Sequence, residues 1–245
     1  MGRAAALLTR RRGLVALGGL AAAVAAYTAF GGHLWNASTW WDVAFLAVVV
    51  IPSVFAIVWL LLPWRDARGL LGIGIALAVL AVLLRAAGLT TLFDLAKLGA
   101  LTAIGFWFLT VFEALSWVVL VALIIPWVDA LSVHSGPTKY VVSEKPGLFE
   151  DLAVAFRVPG EEGSAHLGPP DILFFALFLG ASARFGLRVG WTWIGMTLGL
   201  GLTLVFAVWG DFAGLPALPG ISLGFLLPNA DLLWHRLQDR DRSGN

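Results

Sequence analysis

The chain has 245 residues, 60% hydrophobic and 13% charged, with 28 Gly, 12 Trp and no Cys. A soluble domain carries about 25% charged residues, so the composition excludes an ordinary water-soluble fold, and the missing cysteine excludes disulfides, thiolate nucleophiles and Cys-based metal sites. The 16 basic residues nearly balance 15 acidic ones, which excludes the global field of a nucleic-acid-binding protein.

A spanning helix needs about 20 apolar residues. Eight stretches supply them: 13–32, 43–63, 69–87, 95–112, 114–134, 166–187, 189–209 and 215–234. They predict an all-α polytopic membrane protein, a single membrane domain over 1–245 with N-terminal helices in 1–112 and a second half over 113–245. The long polar stretch 135–165 divides five helices from three. Within it, Thr138 to Val142 and Val154 to Val158 are β-branched and aromatic runs flanked by Gly and Pro, which predict a short β-hairpin.

Arg3, Arg10, Arg11 and Arg12 precede the first helix and place the N-terminus in the cytoplasm. Eight spans return the C-terminus to the same side. The inner segments then hold those four arginines with Arg65, Arg68, Arg184, Arg188, Arg236, Arg240 and Arg242, eleven of the 16 basic residues. A rival reading takes Thr9 to Arg12 and the Ala-rich stretch after it as a cleaved signal peptide; the length of the stretch favours a helix.

Two aspartates stand out in a chain whose apolar runs otherwise avoid charge. Ala114 to Val128 is 15 residues, reaching about 22 Å as a helix against a hydrocarbon core of about 30 Å, so the fifth span continues through Asp129. Ile172 to Ala183 is only 12 residues, so the sixth span begins before Asp171, near His166. Helix five leaves the membrane where helix six enters, and Asp129 and Asp171 therefore share one face. Helix seven brings the chain back there, which adds Leu215-Pro216-Ala217-Leu218-Pro219. Two prolines so close together do not fit a helix interior, where each costs about 3 kcal/mol, and the segment reads as extended. Irregular backbone at membrane depth survives where protein or a water-filled cavity covers it, and intramembrane carboxylates mark function.

These residues resemble a known family. Val128-Asp129 late in a helix, Gly136-Pro137-Thr138-Lys139, then Gly168-Pro169-Pro170-Asp171-Ile172-Leu173-Phe174, then Pro216-Ala217-Leu218-Pro219 resemble the intramembrane aspartyl proteases: presenilin, signal peptide peptidase and their prokaryotic relatives. The likeness covers about half the chain, from Phe112 to His235. Val128 stands where the family has tyrosine, and Pro170 where it has the second glycine of Gly-x-Gly-Asp.

The resemblance implies a presenilin-like arrangement of helices in a prokaryotic plasma membrane, with Asp129 and Asp171 as catalytic dyad and no cofactor. Two carboxylates a few Å apart share one proton; the ionised one activates water while the protonated one polarises the scissile carbonyl. The implied partners are the lipid bilayer and transmembrane-helix substrates, unwound and held by Gly168, by Leu215, Pro216, Ala217, Leu218 and Pro219, and by a strand containing Lys139, Tyr140 and Val141. The charge bias puts the site outside the cytoplasm, the orientation of signal peptide peptidase, so leftover signal peptides are the expected substrates.

Other readings compete. Asp171, after two prolines and before an apolar run, also fits a helix cap, and a capped Asp171 implies a non-proteolytic relative that binds transmembrane helices. A small proton-coupled transporter using both carboxylates is a third reading, though the chain shows no inverted repeat. His134 and His166 fall near the same face, but their spacing matches no zinc motif, and they read as interfacial.

Overall fold

The computed structural model describes residues 3–35, 37–136, 140, 146–161, 163–212 and 215–243. Among the described residues five helical segments are long and apolar enough to cross a bilayer: Arg11–His33, Thr39–Trp64, Thr90–Leu109, Leu115–His134 and Val189–Trp209. They make this a membrane protein, and they coincide with five of the eight expected spans. The other three expected spans are shorter helices here. Leu70–Ala86 has 17 residues, Pro169–Arg184 has 16, and Leu218–Leu226 has nine before Pro228 interrupts it.

In chain order the helices are α1 (Arg3–Phe30), α2 (Thr39–Phe45), α3 (Ile51–Leu61), α4 (Leu70–Ala86), α5 (Thr90–Leu109) and α6 (Leu115–Ser135). Then come α7 (Pro146–Leu152) and strand β1 (Val154–Arg157) within the polar stretch, β2 (Ser164–Leu167) at its end, and after it α8 (Pro169–Arg184), α9 (Val189–Trp209), α10 (Leu218–Leu226) and α11 (Ala230–Ser243). Helices α2 and α3 form one continuous span through a π-helical stretch, Leu46–Val50. Pro52, in the first turn of α3, has no N–H to give the Val48 carbonyl, and a wider turn absorbs the missing bond.

The sheet corrects one expectation. Val154 to Arg157 is a strand as the sequence suggests, but its partner is Ser164–Leu167, not 138–142. Residues 138, 139, 141 and 142 lie outside the described residues; Tyr140 is helical, and its amide donates to the Gly136 carbonyl at 3.3 Å. The shorter loop wins because closing it costs less entropy. Gly160, at φ 69°, turns the chain back, and the Val158 amide donates to the Gly163 carbonyl at 3.2 Å. A second correction follows: His166 is in β2, so the sixth helix begins at Pro169.

The core is built where α3, α5, α8, α9 and α10 meet. Phe55 stacks on Phe175 at 3.9 Å between ring centres, and Phe178 on Phe225 at 4.9 Å. Small residues let the backbones approach. A Cβ on Gly105 of α5 would lie 2.6 Å from the Leu173 carbonyl oxygen of α8. Between α9 and α10 the fit is closer still. Gly195 and Gly199 face Gly224 and Gly220, so that a Cβ on Gly195 would meet the Gly224 oxygen at 2.6 Å and one on Gly220 the Gly199 oxygen at 2.7 Å. Two G-x-x-x-G stripes pack backbone to backbone, which in a bilayer replaces the missing hydrophobic drive with van der Waals contact.

At the opposite end from the hairpin, polar bonds pin the helix ends. Asn229 donates to Thr192 Oγ1 at 2.8 Å and accepts from the Arg188 amide at 2.9 Å, while Arg188 forms a two-pronged pair with Asp231 at 2.7 and 2.6 Å. Arg184 donates to the Leu109 carbonyl at 3.0 Å. Both arginines thus anchor helix ends, as their positions suggest.

Candidate active site

Asp129 lies on the last turns of α6, half-buried, with its Oδ2 accepting a 3.0 Å hydrogen bond from the Leu218 amide; the Ala217 amide adds to it. Those donors exist because the chain is irregular there. Leu215 and Pro216 are outside any helix, Ala217 caps α10, and Pro219 sits in its first turn, where no N–H is needed. The proline pair is therefore split across a helix start, so the extended stretch ends at Ala217.

Asp171 opens α8. Pro169 and Pro170 occupy the first two helical positions, where their fixed φ is favourable and their missing donors cost nothing. Asp171 Oδ2 accepts from the Gly168 amide at 3.0 Å, and its own amide donates to the Gly168 carbonyl at 3.1 Å. The carboxylate therefore caps its helix. Among the described residues its other oxygen makes no such bond, and Asp171 lies within electrostatic range of Asp129. Pro170, at the second helical position, is itself exposed.

The structure thus brings together Asp129, Asp171, Gly168, Ala217 and Leu218, with Leu215, Pro216 and Pro219 alongside. Lys139 and Val141 lie outside the described residues, and Tyr140 is 54% exposed. A cavity of about 290 Å³ lined by Ala114, Ser116, Phe185, Leu233 and Arg236 is at the other end of α6 from Asp129.

The hairpin leads into this site. The Ala155 amide donates to Asp94 Oδ1 at 3.2 Å and the Arg157 carbonyl accepts from the Tyr27 hydroxyl at 2.5 Å, so both residues turn their polar groups away from β2. The antiparallel register pairs Ala155 with His166 and Arg157 with Ser164; in these wide pairs Ser164 and His166 likewise turn their N–H and C=O away from β1. Among the described residues no other strand or helix bonds to that edge. Two residues on, with the same parity, the Gly168 amide meets Asp171. The outer edge of β2 runs into the carboxylate. The His166 ring leans on Phe149, centres 5.8 Å apart, and burial pushes its pKa below 6.5 against the pull of Glu150 and Asp94.

Three charged residues escaped the sequence reading. Asp94 and Lys97 lie in the first turns of α5 as a largely buried ion pair at 2.9 Å, and Asp42, within the second span, is 3% exposed with no hydrogen bond to either oxygen among the described residues. The apolar runs therefore hold more charge than hydropathy suggests; the signal was the i, i+3 spacing of Asp94 and Lys97. Comparison with family models, curated proteins and solved structures returns no match. The site rests on its own geometry.

Proposed function

We propose that this chain is an intramembrane aspartyl protease of the presenilin and signal peptide peptidase type, with Asp129 and Asp171 as its dyad. The observation that carries the reading is the tie between Asp129 and Leu218, with Asp171 in electrostatic range: three segments distant in sequence converge on two carboxylates. Such a pair holds one proton between them. The ionised carboxylate takes a proton from water, whose oxygen attacks the scissile carbonyl carbon. The protonated one gives its proton to the carbonyl oxygen, and collapse of the tetrahedral adduct breaks the C–N bond as the nitrogen is protonated.

In this reading α4, α8 and the α10–α11 unit complete an eight-span bundle of presenilin-like arrangement in a prokaryotic plasma membrane, with both termini in the cytoplasm. The unwound substrate adds as a strand to the outer edge of β2, which delivers it to Asp171. A substrate with its N-terminus inside leaves the membrane as β2 enters it, so the two strands run antiparallel. Leftover signal peptides have that polarity.

A second reading is supported by the Gly168–Asp171 bond: a carboxylate engaged as a cap suits a non-proteolytic relative that binds transmembrane helices. Cleavage of a reporter transmembrane helix by the wild type, Asp129→Asn and Asp171→Asn separates the two. Loss of cleavage in both variants supports the dyad, and persistence in either rejects it. An inactive wild type that still captures the reporter favours the binding reading.

A further inference from the structure

We propose that Lys97 is a positioning residue that fixes the hairpin so that only the outer edge of β2 is offered to substrate; the inference rests on the protease reading above. Lys97 is 8% exposed, inside a helix long and apolar enough to span the bilayer. An ammonium there has three N–H groups to satisfy. It reaches Asp94 Oδ1 at 2.9 Å, the Asp151 carbonyl at 3.3 Å and the Ala153 carbonyl, and it stands 3.9 Å from the centre of the Phe93 ring.

All but Asp94 and Phe93 belong to the segment entering β1. Asp94 Oδ1, neutralised by Lys97, in turn accepts the Ala155 amide at 3.2 Å. Arg85 of α4 grips the same segment from outside, pairing with Asp151 at 3.0 Å. Residues 151, 153 and 155 are thus held to the end of α5 by one buried ion pair. The clasp does two things at once. It occupies the side of β1 on which a strand would otherwise add, and it sets the height of β2, which joins Gly168 and Asp171 with no slack. A group so buried is costly to keep unless its bonds are used, and here two of them hold the segment entering β1 while the third holds Asp94, which itself binds the Ala155 amide.

The test uses the full chain in lipid nanodiscs, comparing wild type with Lys97→Met, which keeps the apolar stem, and with Asp94→Asn, which keeps the shape and removes the charge. A fluorogenic reporter transmembrane helix gives kcat and KM, and hydrogen exchange reports the Ala155 amide without reference to catalysis. The expected result is faster exchange at Ala155 in both variants, with KM raised about tenfold and kcat little changed, the signature of lost substrate binding; Lys97→Arg should restore part of the KM. Unchanged exchange in both variants overturns the clasp, and faster exchange with unchanged KM overturns its role in positioning. If the wild type cleaves nothing, the protease reading fails separately. Photo-crosslinking of the reporter to position 164 then decides, with capture weakened in both variants supporting the positioning role and equal capture overturning it.

Discussion

The Asp129 carboxylate accepts a hydrogen bond of 3.0 Å from the Leu218 amide, 89 residues away in the chain. The bond closes α6 against the start of α10. Asparagine keeps an acceptor oxygen but holds no titratable proton. Asp129→Asn is therefore expected to melt near the wild-type temperature and to cleave nothing. Asp129→Leu strands a half-buried amide and should cost about 1–3 kcal/mol. Thermal unfolding in nanodiscs beside a cleavage assay reads both; a stable, active Asp129→Asn would refute the assignment.

Asp171 separates capping from catalysis in the same way. Its Oδ2 bond to the Gly168 amide is one that an asparagine carbonyl also makes. Asp171→Asn should keep α8 capped and lose activity, whereas Asp171→Ala should lose activity together with about 1 kcal/mol of stability. Equal stability in the two variants would mean that the cap contributes nothing measurable.

The glycines of α9 and α10 carry the packing behind the site. With Gly220 and Gly199 in backbone contact, Gly220→Val leaves no space for its side chain without moving α10, and with it the Leu218 amide. The expected effect is about 1–3 kcal/mol of destabilisation, with cleavage lost in the fraction that remains folded. Gly72, which has nothing within 4 Å of an added Cβ, is the control: Gly72→Ala should be neutral or slightly stabilising.

The convergence of Asp129, Asp171 and Leu215 to Pro219 was legible in the sequence because span length and chain direction constrain it strongly. A carboxylate late in an outgoing helix and one early in the next share a face whatever the side chains between them do. The hairpin was half legible. Thr138 to Val142 has the better strand composition, yet Ser164 to Leu167 pairs with β1, because composition says nothing about which loop is cheapest to close. The G-x-x-x-G pairs at 195/199 and 220/224 were in plain view, but a stripe of small residues names no partner until two helices are known to meet. Lys97 and Asp94 vanished for another reason: averaged over a window, a paired charge looks like a tolerable flaw in an apolar run.

His166 links the site to pH. Burial holds its pKa below 6.5, so the folded hairpin prefers the neutral ring. The unfolded hairpin takes up its proton first as pH falls. The His166 contribution to stability is thus fully present above about pH 6.5 and is lost as pH falls through the lowered folded value. Protection of the β1 and β2 amides, corrected for the intrinsic exchange rate at each pH, should fall below about pH 6.5 in the wild type and less so in His166→Phe. An identical pH dependence in the two would show that another group controls the hairpin.

The two edges of β2 are separable by proline. In the observed register Phe156 and Ala165 form a narrow pair, with the Ala165 amide directed at β1, whereas the Ser164 amide is directed outward. Proline removes a donor and is tolerated only where that donor is not used in the ladder. Ser164→Pro should therefore leave the hairpin paired, with a loss of stability under about 1 kcal/mol, while blocking the outer edge to an incoming strand; KM for a reporter helix should rise with kcat little affected. Ala165→Pro should unpair the hairpin itself, so that exchange at the Phe156 amide accelerates. Wild-type KM in Ser164→Pro would place the substrate elsewhere, because an added strand that needs the Ser164 N–H cannot form without it.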